Sequence, residues 1–319
     1  MIEARRLTKR YGSTLAVDGL TFDVEPGRVT GFLGPNGAGK STTLRLILGL
    51  DAPSTGTVTV DGKPYGQHRR PMFVVGAMLE ARSVHPGRSA YNHLLALAQS
   101  NGIPRRRVDE VLDAVGLTAV AGKRAGTFSL GMGQRLGVAA ALLGDPGVLL
   151  LDEPVNGLDP EGILWIRNLL KSFAAGGRTV FVSSHLMSEM ALTADHLIVV
   201  GRGRLIAESS VEDFIRGASG SYTRVRSPQC DRLATLLQAE GAIAEVDDDG
   251  TLRVTGAGAE EIGDLALGAG IALYELSSQQ ASLEAAFMEL TGDRVDYRAN
   301  VPDSKKHDDF DKQQKLAQP

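Results

Sequence analysis

Hydrophobic and polar positions follow two different rhythms along the first two thirds of the chain. "LTFDV" (20–24) and "GTVTVDG" (56–62) switch between apolar and polar at every second residue. That is the period of a strand with one face in solvent. "RVTGFLG" (28–34), "GVLLLDEP" (147–154) and "RTVFVSS" (178–184) are short continuous apolar runs instead, as expected of strands buried on both faces of a parallel sheet. Between these runs the apolar residues recur with helical spacing over 41–49, 88–100, 104–115, 133–144 and 160–175. Alternating strands and helices predict a layered α/β domain with a largely parallel sheet. The block from about 85 to 130 is mostly helical and is expected to form a lobe beside that sheet. "HLIVVGRGRLIAE" (196–208) reads as a strand, a glycine turn and a strand, and the domain is expected to close at 217.

The rhythm changes after the small polar stretch "ASGS" at 218–221. The pattern then predicts strand 222–226, helix 229–239, strand 242–246, the turn "DDDG", strand 251–255, helix 259–267 and strand 271–276. This is the element order of the ferredoxin-like split βαβ motif, so an accessory α+β domain is expected over 221–292. A last helix over 281–290 would align Leu283, Phe287 and Leu290 on one face. The final stretch, 300–319, has almost no apolar residues and is expected to be a disordered tail.

Composition narrows the class. A chain of 319 residues suggests about two domains, and 43% hydrophobic with 23% charged residues is ordinary for a globular protein. A formal net charge of −4 argues against a nucleic-acid partner. The single cysteine, Cys230, rules out an internal disulfide framework and fits a reducing compartment. The most apolar run, "LGVAAALLGDPGVLLL" (136–151), is interrupted by Asp145, Pro146 and three glycines. It cannot cross a bilayer as one helix, so work at a membrane would require another chain to span it.

The chemistry begins at "GPNGAGKST". Gly34, Pro35, Asn36, Gly37, Ala38, Gly39, Lys40, Ser41 and Thr42 follow an expected strand and open an expected helix, the context that gives the G-x-x-x-x-G-K-[ST] pattern its meaning. Backbone N–H groups freed by the glycines wrap a β-phosphate, and the helix N-terminus adds partial positive charge. Lys40 reaches β and γ oxygens, and Ser41 ligates Mg²⁺. "VLLLDEP" delivers Asp152, which can hold the cation through water, and then Glu153, the candidate base for an attacking water. Adjacent residues of a strand face opposite sides, so the two carboxylates are expected to take separate roles. A second glycine-rich segment, "TFSLGMGQRLGVAA" (127–140), also runs into a helical pattern and so offers a second anion cradle.

A phosphate loop, a helical lobe, a Ser-x-Gly loop, "LLLDEP", "NGLD" and a histidine after the next strand together resemble the nucleotide-binding domain of ATP-binding cassette (ABC) transporters. The resemblance covers about residues 2–217. It implies a P-loop NTPase with a RecA-like core, an antiparallel β subdomain and a helical lobe, followed here by the small C-terminal α+β ferredoxin-like domain. It also assigns the second cradle: the loop of one subunit covers the γ-phosphate of ATP held by the other. The family pattern there is Leu-Ser-Gly-Gly-Gln, whereas this chain has "FSLGMGQR". Aligned on Gln134 and Arg135, Ser129 and Gly131 keep the phosphate-facing positions, while Leu130 replaces a glycine and Met132 the glutamine. Such variants resemble ABC-2 type export ATPases. Tyr11, in "TKRYGS", is similar to the aromatic that stacks on adenine. Asp159 of "NGLD" resembles a residue at the dimer seam, and His185 the switch histidine at the γ-phosphate. Where the family has a glutamine at Mg²⁺ and the attacking water, this chain has Glu80, as ATPases of antibiotic and peptide exporters do.

The resemblance therefore implies an ATP- and Mg²⁺-dependent ATPase subunit of an exporter for drugs, antibiotics, peptides or lipids. It would pair with a second copy or a paralogue, act on separate transmembrane permease subunits, and sit peripherally at the cytoplasmic face of the membrane. A non-transport ABC ATPase of ribosomes or DNA fits less well, because one cassette and no sustained heptads are present. A GTPase would need an Asn-Lys-x-Asp guanine reader, which the sequence lacks. A ligand-regulated module built on 221–290 stays open.

Overall fold

A computed structural model describes residues 1–80, 84–216, 222–247, 250–279 and 282–291. The polar stretch 218–221, the closing residue 217 and the tail 300–319 lie outside the described residues. Three strands near the N-terminus, β1 (Ile2–Tyr11), β2 (Thr14–Val24) and, after the next strand and helix, β4 (Thr55–Val60), pair antiparallel in the order β2-β1-β4. Between them in the chain come β3 (Val29–Leu33) and α1 (Lys40–Ile47). All five residues of β3 are buried, as the continuous apolar run requires.

The main sheet is completed by β5 (Val75–Met78), β6 (Val148–Asp152), β7 (Thr179–Ser184), β8 (His196–Gly201) and β9 (Arg204–Ser210), in the order β5-β6-β7-β3-β8-β9. Its ladders are parallel except for the β8–β9 hairpin. One face meets the antiparallel sheet through Phe22, Phe32 and Phe181, whose ring centroids lie 5.0 to 5.9 Å apart. The other face packs on α2 (Ala90–Ser100), α3 (Arg106–Ala114), α4 (Leu130–Leu142), α5 (Pro160–Ala175), α6 (Met187–Thr193) and α7 (Val211–Arg216), whose apolar residues share one core cluster with that face. Both sheet faces are thus dry, which is why these strands read as unbroken apolar runs rather than alternating ones. A mostly parallel sheet between an antiparallel sheet and a layer of helices is the arrangement that the family resemblance implies, and α2 and α3 fall within the 85–130 block expected to be helical.

The remaining elements are β10 (Tyr222–Arg226), α8 (Cys230–Ala239), β11 (Ile243–Val246), β12 (Leu252–Thr255), α9 (Ala259–Gly268), β13 (Glu275–Gln279) and α10 (Leu283–Thr291). The four strands form a separate antiparallel sheet ordered β11-β12-β10-β13, with its own core around Val225, Leu233, Leu237, Leu252 and Ile262. The last strand is displaced from its expected place at 271–276. Arg226 pairs with Glu275 and Tyr222 with Gln279, so the ladder begins at Glu275, and Ile271 is used to fill the core instead.

Two expectations change at helix ends. α4 starts at Leu130 with Ser129 as its cap, so Gly131 and Gly133 lie inside its first turns rather than in a loop before it. In α10, Leu283, Ala286 and Phe287 are buried while Leu290 is 47% exposed, and the buried three join the core cluster of the six-stranded sheet, not that of the four-stranded sheet. Chain order groups α10 with the C-terminal elements; packing attaches it to α6 and α7.

Candidate functional site

The turn from β3 to α1 builds the floor. Gly39 caps α1 with a φ of 99°, and a Cβ there would come within 2.5 Å of the Ala16 carbonyl oxygen, so only glycine lets the loop lie this close to β2. The loop opens on a cavity of about 250 Å³ lined by Ala16, Pro35, Asn36, Gly37, Gly39, Lys40, Ser41, Thr42 and Glu153. Gly34 and Ala38 stand behind it; Ala38 is buried and hydrogen-bonded to Pro35 through its amide.

Lys40 is only 7% exposed. Its Nζ donates to the carbonyls of Gly34 at 2.6 Å and Pro35 at 3.3 Å, and lies 3.9 Å from Glu153 Oε1. Burial pushes its pKa below the ordinary lysine value, while Glu153 and Asp152 push it back up. An ammonium so placed gains from an anion in the cavity, because the desolvation cost has already been met by the fold.

The two carboxylates are separated, but not by strand alternation. β6 ends at Asp152, and Glu153 leaves it with a φ of 50°, a left-handed conformation uncommon for a residue other than glycine. Asp152 Oδ1 accepts from the Ser183 hydroxyl on the neighbouring strand. The Glu153 amide donates to Ser183 Oγ at 3.0 Å and to the Ser183 carbonyl at 3.2 Å. Glu153 Oε2 lies 2.7 Å from His185 Nδ1 and accepts from the His185 amide at 3.3 Å. Lys40 and Glu153 therefore meet at the cavity, with His185 bonded to the Glu153 carboxylate and Asp152 joined to Glu153 through Ser183.

A hydroxyl, Ser41, and a carboxylate, Asp152, suit a hard divalent cation that completes its shell with phosphate oxygens and water. Among the described residues, no group of three or more His, Cys, Asp or Glu is placed to hold a metal ion.

The other candidates lie apart. Tyr11 ends β1, is 44% exposed, and donates its hydroxyl to Asp51 Oδ2 at 2.8 Å; that bond is the main reason its phenol pKa is raised. Glu80 is exposed beyond the end of β5 and is not among the residues lining the cavity. Ser129 accepts from the Met132 amide at 3.2 Å and, with Val84, Pro86, Phe128 and Leu130, borders a different cavity of about 390 Å³. Gly131 faces the Gly157 carbonyl of the "NGLD" turn, and Asp159 caps α5 through the Gly162 amide at 2.9 Å.

Three residues at the site escape sequence reasoning: Ala16, which lines the cavity; Ser183, which ties Asp152 to Glu153; and Gln134, which donates to the Glu153 carbonyl at 3.1 Å. Only Gln134 leaves a trace in the sequence, as an amide at a position the helical pattern of α4 turns inward.

The family described as ABC transporter matches residues 17–156, and a domain of unknown function matches residues 221–284. The chain is 36% identical over 299 residues to the bacitracin transport ATP-binding protein BcrA of Bacillus licheniformis, covering 92% of this chain and 97% of that one. It is 34% identical over 212 residues to the lantibiotic transport ATP-binding protein SrtF of Streptococcus pyogenes, covering 66% and 92%. A solved ATP-binding subunit of an ABC transporter superposes with a TM-score of 0.62 at 26% identity, over 68% of this chain and 92% of that one. A dimeric bacterial ABC transporter cassette does so at 0.60 and 26%, over 66% and 99%.

Proposed function

Because this chain belongs to the ATP-binding cassette transporter family, as an ATP-binding and ATP-hydrolysing subunit, we propose the following division of labour among its residues. Gly34 to Thr42 cradle the phosphates of ATP, and Lys40 neutralises the β and γ oxygens. Ser41 and Asp152 hold Mg²⁺, which screens the charge of the triphosphate when bound. Glu153 accepts a proton from the attacking water, and His185 orients that carboxylate and reaches the γ-phosphate. Tyr11 stacks on adenine. Asp152 and Glu80 both lie outside the lining; Asp152 is tied through Ser183 to Glu153, which lines it, whereas the assignment of Glu80 as a cation ligand rests on motif order.

The observation that carries the rest is that Ser129 borders a cavity other than the one Lys40 lines. Ser129 and Gly131 do not share the cavity of Lys40, so they serve the nucleotide of a second copy or a paralogue, with Asp159 at the seam. Two such subunits close around two ATP and drive separate permease subunits from the cytoplasmic face, exporting antibiotic- or peptide-like cargo. The identities to bacitracin and lantibiotic transport ATPases support that direction. Among the described residues no helix is long and apolar enough to cross a membrane, in keeping with separate spanning subunits. The permease would dock near 81–93, where Val84 and Pro86 border the second cavity. Residues 1–217 form the ATP-binding unit in this reading and 221–292 the accessory unit, with α10 returning to the former.

Glu153→Gln tests the split site. Glutamine keeps the shape but cannot take the proton, so phosphate release should fall by roughly 10²–10⁴-fold while light scattering shows an ATP-dependent dimer. Adding Ser129→Arg should abolish that dimer and spare nucleotide binding. A dimer indifferent to both ATP and Ser129 would overturn the reading.

A further inference from the structure

Gln134 is 3% exposed, on the inward side of α4 beside Leu136, Val138 and Ala139, all buried. A buried amide is retained in an apolar layer only when it is hydrogen-bonded. Here Nε2 donates to the Glu153 carbonyl at 3.1 Å, which also accepts from the Asn156 amide at 3.2 Å. On the other side of the same residue, the Glu153 amide is held by Ser183. Both peptide groups flanking the Glu153 side chain are therefore tied. They need to be, because a φ of 50° at a non-glycine residue persists only where the surroundings over-determine it. That conformation decides where the carboxylate points, and it points between Lys40 and His185.

The two ties come from different parts of the molecule. Ser183 belongs to β7, inside the sheet that carries the phosphate loop. Gln134 belongs to α4, which Ser129 caps and whose first turn contains Gly131. A helix rises about 1.5 Å per residue, so the amide sits less than about 10 Å along a rigid rod from the residues assigned to the other copy's nucleotide. Resting on the split-site reading, we infer that Gln134 is a positioning residue that couples the two nucleotides of the dimer. The helix that closes on the partner's ATP in trans also sets the backbone of the base acting on the chain's own ATP in cis. A signature loop seated on phosphate holds α4, and through Gln134 it holds Glu153 in its left-handed turn. An unseated loop leaves that tie free to shift.

Mixed dimers of full-length chains, purified through two tags, separate the cis from the trans effect. One copy carries Glu153→Gln, so turnover comes only from the copy with intact Glu153. Gln134→Leu, similar in volume but without a donor, is placed in either copy. In the copy with the intact base it should lower kcat on the order of 10- to 100-fold, with ATP affinity within about twofold of the parent. In the silenced copy its effect on kcat should be at least tenfold smaller. Gln134→Met repeats the comparison should the leucine variant fold poorly, as judged by its melting temperature. Equal loss from both placements, or more from the silenced copy, would make Gln134 a support of the signature loop alone and overturn the coupling. Unchanged kcat with the variant beside the intact base would overturn it too. Near-native turnover in the Glu153→Gln homodimer would instead remove Glu153 from its role as base, and a dimer indifferent to both ATP and Ser129→Arg would defeat the split-site reading underneath.

Discussion

His185 Nδ1 lies 2.7 Å from Glu153 Oε2, and the His185 amide donates to the same oxygen at 3.3 Å. Two donors from one residue hold one carboxylate oxygen, which leaves Oε1 on the side of Lys40 at 3.9 Å. The base is thus aimed by a histidine that arrives from the end of the next strand.

The side-chain half of that grip is open to test. His185→Ala keeps the amide donor and removes the imidazole, so Glu153 loses orientation more than position. Phosphate release at saturating ATP should fall by roughly 10²-fold, with ATP affinity little changed in equilibrium titration. A variant that lost affinity and kept its kcat would assign His185 to nucleotide binding only.

Lys40 predicts a pH dependence. Burial lowers its pKa in the free chain, and a triphosphate beside it favours the charged form and raises that value. Binding therefore takes up a proton between the lowered free value and the raised bound one. ATP affinity should be level below the free value and fall as pH rises through it. Titration of a fluorescent ATP analogue from neutral pH towards the ordinary lysine value, about 10.4, should show that decline, and a flat profile would count against it.

The "NGLD" turn is fitted to Leu130. Gly157 has a φ of 75°, and a Cβ there would fall 2.0 Å from Leu130 Cδ2. Gly157→Ala should therefore destabilise the chain by about 1–3 kcal/mol through backbone strain and displacement of Leu130. Leu130→Ala should recover part of it, with a coupling energy of about 0.5–3 kcal/mol in a double-mutant cycle read by urea unfolding. Strict additivity would mean that the two residues do not touch in solution.

α10 should behave as part of the ATPase core. Phe287 is 3% exposed, and Glu284 Oε1 accepts from the Ser188 amide in α6 at 3.2 Å. Phe287→Ala should cost about 3–5 kcal/mol and lower the melting temperature of the transition that ATP stabilises. A chain stopped after Arg216 should be less stable than the full chain for the same reason. If ATP-protected unfolding were unaffected by Phe287→Ala, α10 would belong with the C-terminal sheet instead.

Local spacing by itself determined the alternation of strands and helices, the phosphate loop, the "LLLDEP" strand and the order of motifs that carries the family resemblance. These are legible because apolar periodicity and glycine positions act over a few residues along one backbone, and because a strand-loop-helix unit needs nothing distant to form. The tertiary structure decided how the site is assembled. The sequence pattern puts Glu153 in a strand; packing against Ser183 and Gln134 turns it out of the strand in a left-handed conformation. It puts the signature glycines in a loop; the Ser129 cap draws them into α4. Chain order assigns α10 to the C-terminal elements; Leu283, Ala286 and Phe287 find their apolar partners on α6 and α7. Each of these outcomes depends on which buried groups meet across elements far apart in the chain, where desolvation and hydrogen-bond satisfaction outweigh local preference, and no residue spacing records those meetings.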